Sequence, residues 1–237
     1  MRYKIYLADI RPLVQNEKLQ KAVYDRLPLS RQHKADSCRF PKARAASLGA
    51  GFLMEYALKK QGLTQYQIDY ADGGAPMVIR RSQLADAADG GRQMEIPVYI
   101  SVSHSGDYAA CVICDRPVGI DIQQDCKVKG NMLRHFLTSD RQQEFLQTYG
   151  EIQEDGFLNE PAQKAFLRQW AAKESYMKLT GEGMKLGFDH LILEEAPAGS
   201  CLCIRDQLNR YGLAKLKEYH VSDGYFLAVS VGEQENP

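Results

Sequence analysis

The chain has 237 residues and carries 30 basic and 30 acidic side chains, so that its formal net charge is zero. A chain without net positive charge has no overall field that attracts nucleic acid or an anionic membrane surface. Its hydrophobic content of 44% and charged content of 25% are typical of a globular protein with one large or two small domains. No apolar run approaches the roughly 18 residues that a membrane-spanning helix needs.

The predicted elements of the first half follow from hydrophobic periodicity and from capping or breaking residues. Gly73–Pro76 is predicted to form a turn, and Ser82–Gln93 an exposed insertion. The other predicted elements, in chain order, are a strand at Arg2–Ile10, helices at Asn16–Arg26, from the capping Ser30 onward and at Lys42–Gln61, a strand at Met77–Arg80, and a hairpin of Ile96–Ser103 with Tyr108–Cys114.

The second half repeats this order, because it also contains one long helix and ends in a hairpin. The repetition predicts an α+β fold of two pseudo-duplicated lobes, 1–115 and 116–237, with a cleft between them. Its predicted elements are a strand at Val118–Gln123, helices at Met132–Leu137, Ser139–Tyr149 and Pro161–Thr180, strands at Phe188–Leu193 and Cys201–Arg205, and a hairpin within Leu213–Val231.

Six cysteines in a chain of this length do not form the dense disulfide framework of a small secreted domain. We therefore expect reduced thiols and a cytoplasmic protein, and no secretory signal pattern is found at the N-terminus. Cys111 and Cys114 have the spacing of a redox or zinc half-site, but residues three apart on a strand point to opposite faces. We expect both to pack in the core.

The predicted helix at Pro161–Thr180 carries an acid and a base that can act together. Trp170, Glu174 and Lys178 are four residues apart, which places them on one face of the helix. The alternative is an amphipathic core helix in which Glu174 and Lys178 form an ordinary surface pair, worth roughly a few tenths of a kcal/mol.

A second acid, Asp121, lies in the apolar strand Val118–Gln123. Alternation places Asp121 and Gln123 on the face opposite to the valine and the two isoleucines, and Gly119 leaves room beside them. A carboxylate in such surroundings is seldom free, so it is either paired or bound to a cation. With Glu174 it would offer two hard oxygen ligands, and magnesium suits such ligands together with waters and phosphate oxygens.

The segment Ile100–Gly106 brings hydroxyls, an imidazole and backbone N–H groups to the end of a predicted strand, an arrangement that suits a phosphate. The alternative, favoured for an isolated Ser-His-Ser sequence, is that Ser103 and Ser105 only satisfy the hairpin turn. The basic patch from Arg31 to Arg39 is likewise most often a solvated helix face. The sequence lacks the P-loop, the dinucleotide-binding glycine motif and the serine-hydrolase elbow.

Two motifs together resemble a known family. Val118-Gly-Ile-Asp-Ile122, followed by Trp170-Ala-Ala-Lys-Glu-Ser-Tyr-Met-Lys178, resembles the paired signature of the 4′-phosphopantetheinyl transferases. The Ser101–Ser105 strand end, Arg39-Phe40 and the Leu48–Leu58 helix occur where the two-lobed, surfactin-synthetase-type members have theirs. The resemblance covers most of the chain. The length of the chain argues against the short trimeric members of the family.

The resemblance implies transfer of phosphopantetheine from coenzyme A to a serine of an acyl or peptidyl carrier protein, with release of 3′,5′-adenosine bisphosphate. It implies that Asp121 and Glu174 hold Mg²⁺, with Gln123 or a water in the third place. Glu174 would also accept the serine proton, and Lys178 would neutralise phosphate charge. We expect a monomer whose coenzyme A contacts come from Ser103, His104, Lys178, Lys173, Arg39, His33, Lys34, Arg44, Gly74 and Pro76.

The sequence departs from the family pattern at two places. Many members have a third acid where this chain has Gln123, and the usual Gly-Lys-Pro turn is Gly74-Ala75-Pro76. The charge of the missing lysine could come from Arg80, Arg81 or the basic patch. Two alternatives therefore remain open, a homologue that binds coenzyme A or a carrier protein without catalysis and an unrelated magnesium-dependent phosphotransferase.

The segment after the Asp121 strand is the predicted carrier-protein surface. Carrier domains of this class are generally acidic around the modified serine, so their docking surface should join apolar side chains to positive charge. Met132 and Phe136, one helical turn apart, are the predicted exposed pair, although all the apolar residues of the segment could instead pack into the lobe. The basic residues are Lys127, Lys129 and Arg134, and the remaining apolar residues are Leu133 and Leu137.

Overall fold

A computed structural model describes residues 3–63, 66–70, 76–80, 98–195, 202–208 and 210–232. The expectations for Gly74, Ala75, Arg81 and the insertion Ser82–Gln93 lie outside these ranges. The first half consists of β1 (Lys4–Asp9), α1 (Arg11–Gln15), α2 (Glu17–Tyr24), α3 (Leu29–Asp36), α4 (Pro41–Lys60), β2 (Tyr66–Tyr70), β3 (Pro76–Arg80), β4 (Tyr99–Ser105) and β5 (Tyr108–Cys114).

The second half begins with β6 and places its long helix before the last four strands. Short 3₁₀ turns at Gly130–His135, Gly183–Leu186 and Phe188–His190 connect its elements. The elements are β6 (Val118–Gln124), α5 (Ser139–Tyr149), α6 (Glu160–Thr180), β7 (Leu191–Glu195), β8 (Leu202–Asp206), β9 (Ala214–Tyr219) and β10 (Tyr225–Gly232).

The two lobes have the same sheet topology. The N-terminal sheet has the order β1-β5-β4-β3-β2, and the C-terminal sheet has the order β6-β10-β9-β8-β7. In each lobe the last strand returns to pair antiparallel with the first, and the intervening strands form an antiparallel meander. The predicted pseudo-duplicated α+β fold is confirmed, because each strand of the second sheet takes the place of its counterpart in the first.

Each lobe packs its long helix on its own sheet. The N-terminal core joins α4 to β1, β4 and β5, and the C-terminal core joins α6 to its sheet and to α5. Residues of β1, β5, β6 and β10 form a third apolar cluster where the two lobes meet. Cys111 packs in the N-terminal core and Cys114 in this interface, which confirms that they point to opposite faces.

Serine side chains join the two sheets directly. The hydroxyls of Ser101, Ser103 and Ser105 on β4 accept hydrogen bonds from three alternate backbone N–H groups of β6, at 3.2, 3.4 and 2.9 Å. We call these three residues the serine ladder. They therefore satisfy donors of the other lobe, and not merely the turn of their own hairpin as the alternative had it.

Several local expectations differ from the structure. Ser30 does not cap α3, because the helix begins at Leu29 with Pro28 in the N-cap position. Arg11 and Pro12 begin α1, since proline is accommodated in the first turn of a helix. The last group of strands starts at Leu191, after a 3₁₀ turn, whereas the sequence predicted a strand from Phe188. No described helix is both long and apolar enough to cross a membrane.

Candidate active site

The strand β6 and the helix α6 meet at a glycine that brings Asp121 to the helix. A Cβ at Gly119 would lie 1.8 Å from the backbone oxygen of Ser175 and 2.6 Å from the backbone nitrogen of Leu179. No side chain fits in that space, so the backbones of strand and helix are in contact there. Asp121, two residues along β6, therefore lies beside the helix face that carries Glu174 and Lys178.

Asp121 is 2% exposed and accepts hydrogen bonds on both of its carboxylate oxygens. Its Oδ1 accepts from Ser103 Oγ at 2.6 Å and from Lys178 Nζ at 2.6 Å, and its Oδ2 accepts from Gln123 Nε2 at 2.7 Å. Lys178 Nζ also donates to Ser103 Oγ at 2.9 Å. The structure thus brings together the strand acid, its predicted neighbour Gln123, the helix lysine and a serine of the other lobe.

Glu174 lies one turn before Lys178 on α6 and is half-buried. Desolvation raises the pKa of Glu174, the negative charge of Asp121 raises it further, and the charge of Lys178 partly offsets both effects. Lys178 forms an ion pair with Asp121 of β6. The residues therefore form two carboxylates and one ammonium at a single place, which an ordinary pair between Glu174 and Lys178 on the helix surface does not describe.

A group of positive side chains faces this place from the N-terminal lobe. Partial desolvation and the charges of Arg31 and Lys178 lower the pKa of Lys34. Desolvation and the charges of Lys178, Lys34 and Arg31 lower the pKa of His104. We call Arg31, Lys34, His104 and Lys178 the cation cluster. Positive groups placed close together repel one another and are stabilised by an anion placed among them.

Arg31 is the functional candidate that sequence reasoning missed, because its patch is usually a solvated helix face. Its side chain is 2% exposed, its Nη2 donates to the backbone oxygen of Ser47 at 2.6 Å, and its Nε has no hydrogen-bond partner among the described residues. Helical spacing carried the signal, since Arg31 is four residues before the buried Ala35 on α3.

The other predicted coenzyme A residues are not among the charged groups that lower the pKa of Lys34 or His104. Arg44 pairs with Asp36 at 3.3 Å and lies over the ring of Tyr24. His33 and Arg39 are exposed, as are Lys34 and His104, so exposure alone does not separate the two groups. Pro76 begins β3 opposite Tyr70 of the edge strand β2, and Gly74 lies outside the described residues. Of the predicted set, Ser103 contacts Asp121 and Lys178, and the charge of Lys178 acts on Lys34 and His104.

Lys173 is a correction to the predicted coenzyme A contacts. It is 1% exposed, and its Nζ donates to the backbone oxygens of Phe136 at 3.1 Å and Phe188 at 2.9 Å. The ammonium also lies 4.0 Å from the ring centroid of Phe136. Burial lowers the pKa of Lys173 to about 7, and the charge of Arg141 contributes to this shift. Lys173 therefore connects α6 to the 3₁₀ turns at Phe136 and Phe188 inside the C-terminal core. Its side chain is too buried to contact coenzyme A.

The predicted exposed pair on the carrier-protein surface is wrong for Phe136. Its ring is fully buried and stacks on Trp170 at a centroid distance of 5.8 Å. Leu133 and Leu137 are also buried, and Met132 is partly buried against the same core. The 3₁₀ turn that replaces the predicted α-helix directs these apolar side chains inward, as the alternative had it.

The donor set fits magnesium, although the described residues contain no group of three or more His, Cys, Asp or Glu side chains arranged around a common point. Asp121 and Glu174 supply carboxylate oxygens, and the electrostatic effect of Asp121 on the pKa of Glu174 shows that the two acids act on each other. Magnesium in proteins is bound by one or two carboxylates, with waters and substrate phosphates as its other ligands.

Comparisons with known proteins agree with this geometry. Residues 117–230 match the family described as ACPS, the 4′-phosphopantetheinyl transferase superfamily. The 4′-phosphopantetheinyl transferase psf-1 of Bacillus pumilus is 27% identical over 190 residues, covering 78% of this chain and 71% of that protein. The 4′-phosphopantetheinyl transferase Sfp of Bacillus subtilis is 24% identical over 139 residues, covering 59% of this chain and 57% of that protein.

A holo-[acyl-carrier-protein] synthase structure from Thermotoga maritima matches with a TM-score of 0.36 and 18% identity, over 50% of this chain and 64% of that chain. The family match contains β6 and α6, the two elements that supply Asp121, Glu174 and Lys178. The relatives from Bacillus extend the match over most of the chain. Residues 117–230 therefore match the 4′-phosphopantetheinyl transferase superfamily, and the similarity to the Bacillus transferases over most of the chain supports an enzyme of the Sfp type.

Proposed function

We propose that the protein transfers 4′-phosphopantetheine from coenzyme A to a serine hydroxyl of an acyl or peptidyl carrier protein and releases 3′,5′-adenosine bisphosphate. In this step the serine oxygen bonds to the phosphorus of the phosphopantetheine phosphate, while that phosphorus loses its bond to the bridging pyrophosphate oxygen. The observation that carries the proposal is the contact of Asp121 with Lys178 and Ser103, beside Glu174 and the cation cluster.

Glu174 is the proposed proton acceptor, directly or through a water. A general base is most effective when its pKa lies near the working pH, and burial together with Asp121 moves the pKa of Glu174 upward in that direction. Asp121 and Glu174 would hold Mg²⁺, with Gln123 or a water in the third position. A bound Mg²⁺ supplies positive charge to the pyrophosphate and stabilises charge on the leaving group.

The cation cluster is the proposed site for the phosphates of coenzyme A. Arg31 and Lys34 on α3 and His104 at the end of β4 approach Lys178 from the N-terminal lobe. Three cations, an imidazole and one buried guanidinium nitrogen without a hydrogen-bond partner in the described part of the chain suit an anion with several phosphate groups. This cluster also supplies a source for the charge that the lysine missing at Ala75 would have carried.

Lys34→Met is expected to raise the dissociation constant for coenzyme A by about tenfold, because a charge-assisted hydrogen bond contributes roughly 1.5–3 kcal/mol. The rate at saturating coenzyme A should change much less. Titration calorimetry with coenzyme A measures the first effect, and Lys18→Met on α2 is the matched control, since Lys18 is exposed and the charge change is the same. Equal weakening in both variants would assign the effect to net charge alone.

The carrier protein is proposed to dock on a groove between the 3₁₀ turn at Gly130–His135, α5 and the loop at 151–157. The groove is lined by Lys129 and Arg134, together with Ile152, which is 46% exposed. Lys127 lies over the ring of Phe157 at the same edge, 5.5 Å from its centroid. This surface keeps the predicted basic residues and replaces the buried Phe136 with Ile152 as its apolar contact.

Reversing two charges of this groove, Lys129→Glu with Arg134→Glu, is expected to weaken carrier-protein binding at least about tenfold, because an acidic partner then meets like charge. Coenzyme A binding and the melting temperature should stay close to wild type. The control pair Lys18→Glu with Arg26→Glu makes the same charge change on exposed residues of the other lobe. Unchanged affinity for the carrier protein in the groove variant would move the docking surface elsewhere.

Incubation of the protein with Mg²⁺, coenzyme A and an apo carrier protein tests the proposed reaction. Mass spectrometry should show the carrier protein heavier by one phosphopantetheine group, and chelation of the metal should prevent the addition. Binding without addition would indicate a non-catalytic homologue, and neither binding nor addition would indicate another phosphotransferase. We also propose that the protein is a monomer, since Ser103 and Asp121 complete the site from the two lobes of one chain. The proposed compartment is the cytoplasm, as expected from the reduced cysteines.

A further inference from the structure

The ammonium of Lys178 contacts one of the two oxygens that Asp121 can offer to a metal ion. Lys178 Nζ lies 2.6 Å from Asp121 Oδ1. Gln123 Nε2 donates a hydrogen bond to the other oxygen, Oδ2, at 2.7 Å. Ser103 Oγ donates a second hydrogen bond to Oδ1. Both oxygens of this buried carboxylate therefore already receive hydrogen bonds, and one of the donors carries a full positive charge.

The charge balance of this group makes the contact with Lys178 important. When both acids are ionised, Asp121 and Glu174 face a single ammonium, so half of the negative charge that attracts a divalent cation is neutralised. Gln123 is uncharged and adds nothing to the attraction, whereas an acid at this position would. The affinity of this chain for a metal ion thus depends strongly on where the ammonium of Lys178 lies.

The side chain of Lys178 can change its conformation, and a bound phosphate would give its ammonium a second binding partner. Its side chain is 28% exposed, whereas that of Asp121 is 3% exposed, and a lysine ammonium sits on a flexible four-carbon stem. Its charge also acts on Lys34 and His104 of the cation cluster. A phosphate bound by that cluster would offer the ammonium a second anionic partner beside Asp121.

We infer that Lys178 and the divalent cation compete for Asp121 Oδ1, so that Lys178 keeps the metal affinity of the protein low until a phosphate group draws the ammonium away. The inference rests on the proposed function for the identity of the metal ligands. It assigns Lys178 a second role besides phosphate binding, because the residue links metal affinity to the presence of a phosphate. Metal and phosphate substrate then bind cooperatively. The phosphate draws the Lys178 ammonium away from Asp121, and the metal ion on Asp121 releases that ammonium to the phosphate.

Binding of Mn²⁺ alone, measured by the loss of the free-ion electron paramagnetic resonance signal, tests the competition without coenzyme A or carrier protein. Lys178→Met, with Lys178→Gln in parallel, should bind Mn²⁺ at least about tenfold more tightly than wild type, by analogy with the 1–3 units by which one neighbouring charge shifts a pKa. Lys185→Met is the matched control, since Lys185 is exposed and carries the same charge. Its affinity should stay within about twofold of wild type.

A double-mutant cycle identifies the shared oxygen. If the competition is for Asp121, Lys178→Met should produce no tightening in an Asp121→Asn background. Equal tightening with and without Asp121, or equal or weaker Mn²⁺ binding by both Lys178 variants than by wild type, would overturn the inference. If wild type binds Mn²⁺ tightly and the Lys178 variants bind it equally tightly, the inference is overturned but the proposed metal ligands remain. Absence of Mn²⁺ binding in every variant would remove both. Melting temperatures confirm that the variants compared are folded.

Discussion

Glu174→Gln is expected to reduce phosphopantetheine transfer by at least about 10²–10⁴-fold, the contribution of a positioned general base. The amide keeps the shape of the side chain but loses both its basicity and its charge toward a metal ion. Melting temperature should be unchanged or higher, because the substitution removes a half-buried charge that Asp121 disfavours. Single-turnover mass spectrometry on an apo carrier protein measures the rate.

Glu160→Gln is the control for this experiment. Glu160 lies on the same helix and makes an exposed i,i+4 pair with Lys164, so its loss should leave transfer close to wild type. Transfer at the wild-type rate by Glu174→Gln would remove Glu174 from the mechanism. A large fall in both variants would instead indicate a general effect of charge on α6.

Gly119→Ala is expected to destabilise the protein by about 3 kcal/mol or more, above the usual range for an added methyl group in a packed core. The new Cβ would lie 1.8 Å from the backbone oxygen of Ser175, and backbone cannot move aside as a flexible side chain can. Since about 1 kcal/mol lowers the melting temperature by about 2–4 °C in a protein of this size, a fall of about 6–12 °C or more is expected.

The glycine at position 212 provides the matched control. A Cβ added to Gly212 has no atom within 4 Å, so Gly212→Ala should change stability by no more than about 0.5 kcal/mol. Differential scanning calorimetry distinguishes the two variants. A melting temperature for Gly119→Ala within about 2 °C of wild type would mean that β6 and α6 are not in backbone contact.

Local patterns were sufficient to predict the elements that build the site. Alternation along β6 placed Asp121 beside Gln123, and four-residue spacing placed Glu174 and Lys178 on one face of α6. Two hairpins and two long helices in the same order predicted the duplication, which the equivalent sheet orders confirm. These features depend on residues close in sequence, where helix and strand geometry fix which side chains are neighbours.

Features that depend on distant partners could not be predicted in this way. Spacing makes Glu174 and Lys178 neighbours on the helix. It does not reveal that Asp121, 57 residues before Lys178, accepts a hydrogen bond from the lysine ammonium. Lys173 and Phe136 look like surface residues until the turns that cover them are known, because Lys173 donates to backbone oxygens 37 and 15 residues away and Phe136 packs against Phe188. In the same way, tertiary packing placed Arg31 inside the patch that the sequence most easily describes as solvated.

The serine ladder ties the folding of one lobe to that of the other. Separating the sheets would exchange three hydrogen bonds between β6 N–H groups and serine hydroxyls for bonds to water, at a net cost of about 0.5–1.5 kcal/mol each, and would expose the apolar cluster between the lobes. Neither sheet can then melt without weakening its neighbour. The duplicated halves should accordingly unfold in urea as one cooperative unit, with a single transition and an m-value that reflects both lobes.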